Sequence, residues 1–462
     1  MRKTEVNMLS GSIMKGLVLI AIPIMVMNVF QSLFNIIDMT ILKVYDTAGG
    51  YSVGAVGASS TLISLMTGLV IGTSAGTNVV VARYIGKNDK ENVSRTVGTS
   101  IVFAIIGGFF LTIIGLCFAD VFLTWMHCPA ELFGAATLYF RLYFAGAPLL
   151  TLYSFMAAIL RASGDSRRPM VYLTLGGVVK IAFSLLFVGL LGMTIVGVAL
   201  STIISWAVSA FLVGRALIKS GGTVKPDLKK LRIYPRQLKE ILIIGIPTGL
   251  QQTLYSAANV VIAATVNTFG ADATTGISIA NQFDGVLYQV ATAPALAVMP
   301  YVSQNVGAGN IKRAKASIWK SVGLTVMLGA TFGALSAIFS GQLSSIMSDN
   351  PAVIAYARQK MIIISSTYFI CGINEIAGAA LKGFGRPMLP MISSMLFTCG
   401  IRFPWVYLIF PLCPNFTFLY LIWPIGWSLS ILLLTPFLAA TIRAHTKAAQ
   451  RAEQTEPAEQ NP

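Results

Sequence analysis

Charge is what this chain of 462 residues has least of: Asp, Glu, Lys and Arg together make up 11% of it, against about 25% in a soluble domain. So few charges cannot cover a water-facing surface of ordinary size, which excludes a soluble globular class. Histidine is rarer still, with only His127 and His445, both outside the apolar runs, so no imidazole-based catalytic or metal centre is indicated. The five cysteines, Cys117, Cys128, Cys371, Cys399 and Cys413, are odd in number and lack CxxC spacing. That argues against a disulfide framework and against a zinc site, and leaves them as small packing residues. No nucleotide loop is present, since YIGKND at Tyr84 is too short and misplaced to cradle phosphates. No removable signal peptide is expected, because the first apolar run is too long for one and lacks a small-residue cleavage site.

What the chain has in abundance is apolar side chains, 55% of all residues. They fall into twelve runs, at 16–42, 52–82, 96–124, 133–160, 169–191, 193–218, 238–268, 274–306, 317–345, 352–381, 387–411 and 416–442. About 20 residues at 1.5 Å each cross the ~30 Å hydrocarbon core of a bilayer, so each run is long enough to span it. The fold class is therefore all-α integral membrane, with twelve transmembrane helices. The net charge of +16 does not point to nucleic acid, because 27 of the 33 Lys and Arg lie at the termini and in the connections after even-numbered runs. Basic connections stay on the cytoplasmic side, facing the anionic leaflet, so both termini are expected to be cytoplasmic in a multi-pass cell-membrane protein. Lys43, Arg358 and Lys360 belong to the opposite connections, and Arg141, Lys180 and Arg402 lie within runs.

The longest basic connection carries eight Lys or Arg between Arg215 and Lys239 and divides the chain almost in half. Beyond it the first half returns in weaker form. IAIPIMVMNVFQSLFN at Ile20 answers IGIPTGLQQTLYSAAN at Ile244, an offset of 224 that pairs Asn28 with Gln252, Gln31 with Tyr255, and Asn35 with Asn259. ILRASGDSRRPM at Ile159 answers ALKGFGRPM at Ala380, the offset falling to 218 at Pro169 and Pro387. Six helices per repeat put both copies in the same orientation, giving two six-helix lobes related by a pseudo-two-fold axis along the membrane normal. The expected organisation is an N-terminal segment 1–15, a lobe 16–218, a linker 219–237, a lobe 238–442, and a polar, disordered tail 443–462.

The first run carries Asn28, Gln31, Asn35 and Asp38 at spacings of three, four and three, which aligns all four on one helical face. A carboxylate at that depth costs roughly 3 kcal/mol and normally faces a bundle interior or watery cavity with a task. A single residue hydrogen-bonded between helices is the competing reading, but it would not require three further polar side chains in line with it. Asp38 pairs with Ile262 in the second repeat, so the acid belongs to one lobe only.

Several separated stretches resemble the multidrug and toxic compound extrusion transporters. They are IPIMVMNVFQSLFNIIDMTI, VVVARYIGKNDKENV, YFRLYFAGAPLLTLYSFMAAILRASGDSRRPM, GIPTGLQQTLYSAANVV, PYVSQNVGAGNIKRAKAS and GAALKGFGRPMLPM, spread over Gly16 to Arg443. The glutamine-rich start of run seven is more similar to the branch named after the DNA-damage-inducible protein F. The resemblance implies efflux of amphipathic, often cationic, compounds through two lobes around a cavity, coupled to inward flow of H+ or Na+. No other cofactor and no metal is implied. The partners implied are the bilayer and small organic substrates, and the chain is expected to work as a monomer.

The family's acid of helix one falls on Asp38. Where many members carry an asparagine and an aspartate in helix five, this chain has Lys180 and Ser184. These share a helix face, and a membrane lysine needs a partner or loses its proton. An Asp38–Lys180 pair is therefore expected, with snorkelling of Lys180 to an interface as the alternative. Candidate cavity residues are Asn28, Gln31, Asn35, Ser184, Gln252, Tyr255, Asn259, Asn281, Asp284 and Tyr288. Tyr139, Tyr143 and Tyr153 are added as rings that attract organic cations. Asp284 reads equally as a substrate contact or a structural residue, and Glu375 with Arg402 as a structural ion pair.

Two other functions compete. A flippase for lipid-linked precursors would call for several intramembrane cations, whereas Lys180, Arg402 and Arg141 stand against Asp38, Asp284 and Glu375. A membrane enzyme or receptor would call for clustered catalytic residues or a sensor domain, which the chain lacks.

Overall fold

The computed structural model describes residues 6–45, 51–126, 128, 130–220, 224–227 and 231–455; His127, the outermost tail and parts of the linker lie outside them. The apolar runs become helices. In the first half these are α1 (Ile13–Tyr45), α2 (Tyr51–Gly86), α3 (Lys90–Trp125), α4 (Ala130–Ala145 with Ala147–Ala162), α5 (Arg167–Leu190) and α6 (Thr194–Ile218). In the second half they are α7 (Pro235–Asn267), α8 (Ala271–Gly307), α9 (Ile311–Ile338), α10 (Pro351–Ser366 with Tyr368–Gly383), α11 (Met388–Leu412) and α12 (Ile422–Thr455). Short helices Ser340–Ser345 and Phe416–Tyr420 precede α10 and α12.

The repeat is visible in irregularities that periodicity does not show. α4 and its counterpart α10 are each broken once and bent by 46°. α3 and α9 open on side-chain caps, Asp89 accepting from the Asn92 amide and Asn310 from the Arg313 amide. α5 ends in a π-helical stretch, Leu185–Leu190, and α11 contains two, Met395–Gly400 and Trp405–Ile409.

Among the described residues, nine helices are long and apolar enough to cross a membrane, or eleven with each bent pair counted as one span. The remaining run is α7, whose 33 residues suffice in length but include Gln251, Gln252, Asn259 and a charged first turn. Length and order of the runs predict twelve spans, whereas apolarity alone carries eleven among the described residues.

The chain forms two compact units. The first holds Met1–Val6, Pro23–Val81 and Asp89–Thr253, and the second Asn7–Ile22, Ala82–Asn88 and Leu254–Pro462. The unit boundaries fall inside helices α1, α2 and α7, each shared between units, whereas the lobes expected from the apolar runs are 16–218 and 238–442. Sequence runs end where apolarity ends, and a unit ends where packing does.

Within the first unit, all six helices contribute to one core around Leu42, Val56, Leu123, Phe140, Phe144, Val188 and Val198. Lipid offers no hydrophobic drive between helices, so close backbone packing at small residues holds them. At Gly108 a Cβ would lie 2.5 Å from the Pro148 Cα. On the other side α3 exposes Ile105, Ile106, Phe109, Phe110, Ile113 and Leu116, the face expected to meet acyl chains. The first turn of α7 and the residue before it are fastened within this unit: Gln237 donates to Asn92 Oδ1 (2.8 Å) and the Tyr234 amide to Thr99 Oγ1 (3.1 Å).

The second unit packs around Ile277, Ala291, Ile364, Tyr368, Cys371, Trp405, Phe416 and Tyr420. Of the cysteines, Cys371 is the buried packing residue, whereas Cys117 and Cys413 lie exposed. Residues before α1 are fastened here. Arg313 donates to the carbonyls of Met8 (2.9 Å), Ser10 (2.7 Å) and Gly11 (3.0 Å), and Asn305 donates to Met8 (3.1 Å). The tail departs from expectation, since α12 runs unbroken to Thr455. AHTKAAQRAEQT is polar, but it consists largely of strong helix formers continuing a preformed helix.

Candidate functional site

Asp38 lies three turns beyond the start of its polar stripe, and it alone of the four is buried, at 5% exposure; Gln31 and Asn35 are exposed and Asn28 intermediate. It is held from α5. Lys180 forms an ion pair with Asp38 Oδ2, and Ser184, one turn on, donates to Oδ1 at 3.0 Å. Ser184 sits 2.7 Å from the Ser201 hydroxyl of α6, which in turn donates to the Val198 carbonyl.

Local sequence explains why α5 reaches α1 here. Gly177 lies one turn before Lys180, and a Cβ there would fall 1.9 Å from the Phe34 ring. Only hydrogen at that position lets the helices approach closely enough for a lysine and a serine to share one carboxylate. Ser184 is the last α-helical residue before the π stretch, which re-aims the helix beyond it. With 13% of its side chain exposed, Lys180 does not snorkel to an interface.

The second unit holds a further buried pair. Lys360 of α10, at 4% exposure, lies 2.8 Å from Asp284 Oδ2 of α8 and also donates to Asn281 Oδ1. Its ammonium stands 5.6 Å from the centre of the Tyr420 ring. Asp284 Oδ1 is buried without a hydrogen-bond partner. Sequence reasoning placed Lys360 in a connection because it stands near the start of its apolar run. The signal that locates it is the cap: Asn350 accepts from the Ala352 amide and Pro351 opens the helix, which puts Lys360 about 14 Å inside at 1.5 Å per residue.

The expected Glu375–Arg402 ion pair is not formed. Glu375 accepts from the Tyr255 hydroxyl (3.3 Å), which itself accepts from Ser394 (3.2 Å). Arg402 donates to Asn259 Oδ1 (2.7 Å), and its guanidinium lies 4.8 Å from the Trp423 ring centre. The α7 residues Tyr255 and Asn259 reach these two groups first. Tyr288 packs partly buried beside the core of its unit. Gln252 belongs to the first unit, beside Gly68 of α2. Tyr139 and Tyr153, proposed as cavity rings, are 7% exposed packing residues, and Tyr143 meets Trp206 edge-on at 4.8 Å. Among the described residues, no group of three His, Cys, Asp or Glu could hold a metal ion.

The MatE family model matches residues 23–186 and 247–408, one match in each half of the repeat. The probable multidrug resistance protein YoeA of Bacillus subtilis is 26% identical over 401 residues, 85% of this chain and 86% of that protein. The probable multidrug resistance protein NorM of Thermotoga maritima is 26% identical over 399 residues, 85% and 84% of the two chains. A solved MOP superfamily transporter from Pyrococcus furiosus shares the fold with a TM-score of 0.89 at 23% identity, covering 96% of this chain and 99% of that one. Matched in both halves and sharing the fold over nearly its full length, the chain belongs to the MatE family of multi-pass membrane transporters and is not an enzyme.

Proposed function

We propose that this chain is a secondary active multidrug exporter that expels amphipathic organic compounds against inward flow of H+ or Na+, with coupling at Asp38 and Lys180. The observation that carries this reading is the buried Asp38–Lys180–Ser184 cluster within two membrane helices. A buried pair is a poor source of stability, because desolvating two charges costs several kcal/mol that their attraction barely offsets. It suits a switch. A proton on Asp38 cancels the attraction and releases Lys180, which favours a different packing of α1 against α5 and so biases alternating access. Lys180 occupies the place at the carboxylate that a sodium ion would take, which favours the proton as coupling ion. No cofactor beyond that ion is required. The protein works as a monomer in the cell membrane with both termini cytoplasmic, following the Lys and Arg distribution.

The flippase reading loses ground because two of the membrane cations, Lys180 and Lys360, are each neutralised by an aspartate. The deciding experiment is uptake of a cationic fluorescent dye into proteoliposomes under an imposed proton gradient and then a sodium gradient, for wild type and Asp38→Asn. Proton-driven uptake lost in the variant supports the proposal. No dye movement in wild type under either gradient overturns it and makes lipid substrates the next assay.

A further inference from the structure

The internal repeat gives the Asp38 cluster of the first unit a counterpart in the second. At the offset of 218 that aligns Pro169 with Pro387, Lys180 corresponds to Thr398 and Ser184 to Arg402. At the offset of 224 in the opening helices, Asn35 corresponds to Asn259 and Asp38 to Ile262. The place that holds an acid, a lysine and a serine in the first unit therefore holds an isoleucine, a threonine and an arginine in the second. One cluster is balanced, and the other carries a net positive charge.

Arg402 is 5% exposed and sits between π-helical stretches of α11, midway along a membrane helix. It donates to Asn259 Oδ1, a neutral acceptor, and lies over the face of Trp423, with Cys399 and Tyr255 nearby. Among the described residues no carboxylate lies within ion-pair reach of it: Asp284 is taken by Lys360, and Glu375 is turned to Tyr255. A buried guanidinium without a counter-charge is costly, and its planar fork matches a carboxylate or phosphate in two-pronged fashion. Asn259 itself is exposed, so the fork is anchored from a residue on an open face. The neighbouring Trp423 adds a flat apolar surface, part of a stack with Tyr420 at 5.0 Å between ring centres.

We infer that Arg402, with Asn259 and Trp423, forms a binding site for the anionic group of an amphipathic substrate, a carboxylate or phosphate ester attached to a planar apolar body. This rests on the transport reading above and narrows it: the substrates include anions or zwitterions, not cations alone. The apolar body stacks near Trp423 while the anion supplies the counter-charge that the described neighbours of Arg402 lack.

The test uses the full-length protein in proteoliposomes with two probes, rhodamine 6G as the cation and carboxyfluorescein as the anion, in wild type, Arg402→Lys and Arg402→Gln. Carboxyfluorescein uptake is expected in wild type, to fall at least tenfold in Arg402→Gln and less in Arg402→Lys, with rhodamine uptake within twofold throughout. A parallel binding measurement in detergent follows quenching of tryptophan fluorescence by carboxyfluorescein, expected in wild type and lost in Arg402→Gln. Rhodamine transport without carboxyfluorescein transport or binding in wild type would overturn the inference while leaving the exporter reading intact. Equal loss of both probes in Arg402→Gln and Arg402→Lys would likewise overturn it, by making Arg402 a structural residue. Binding of the anion without transport of either probe would support the site and count against the exporter reading.

Discussion

Two equivalent places in the repeat have opposite solutions to the same physical problem. In the first unit a membrane carboxylate, Asp38, is neutralised by Lys180 and hydrogen-bonded by Ser184. In the second the acid has become Ile262, the serine has become Arg402, and the cation is left with Asn259 and a tryptophan face. Duplication copied the backbone, down to two helices bent by the same 46°, and substitution then separated the chemistry. On the reading proposed above, the first unit exchanges a proton with a counter-ion already in place, while the second presents a charge that a ligand would complement.

The largest effect should come from removing the acid of the balanced site. Asp38→Asn leaves Lys180 buried without a partner, so coupled dye uptake should fall more than 100-fold. Stability should also drop by about 3–5 kcal/mol, read as a lowered midpoint of thermal unfolding in detergent. Adding Lys180→Met should recover most of the stability and none of the coupling; recovery of both would deny Asp38 its role. Next in size is Ile262→Asp, which makes the second site resemble the first. It should pair with Arg402 and cut carboxyfluorescein uptake about tenfold, with rhodamine uptake unchanged. If the anion still entered at the wild-type rate, the comparison would fail at Arg402.

A third substitution asks whether the other ion pair is structural. Lys360→Met strands Asp284, whose Oδ1 already has no partner, and should lower the unfolding midpoint by an amount equivalent to about 3–5 kcal/mol. Lys360→Met with Asp284→Asn should restore it while the pH dependence of uptake stays as in wild type. A pH profile displaced in the double variant would make this pair a second coupling centre. The smallest effect is expected outside the membrane. Arg313→Ala removes three hydrogen bonds to the segment before α1 and should cost about 1–3 kcal/mol, seen as faster amide exchange at residues 8–12. Unchanged exchange there would show that Asn305 alone suffices.

Much of the first site was legible in the sequence. A polar stripe in an apolar run, one carboxylate in it, and a lysine midway along another run left few ways to satisfy both charges, and they meet. The second site was not. Glu375 and Arg402 looked like partners because they are opposite charges in neighbouring runs, but helical phase and the α7 side chains Tyr255 and Asn259 turned them to different neighbours. Lys360 was hidden for a related reason, since an apolar run does not announce where its helix is capped.

The sequence by itself determined the membrane class, the twelve helical segments, the internal repeat and the asymmetry of Asp38, because these follow from composition and spacing along one dimension. Tertiary structure alone decided which charges neutralise one another, where α1, α2 and α7 pass from one compact unit to the next, and that Arg402 has no acid beside it among the described residues. Those depend on side-chain reach of a few ångström across helices far apart in the chain, where a glycine such as Gly177 or a π-helical turn changes the answer and the apolar pattern does not.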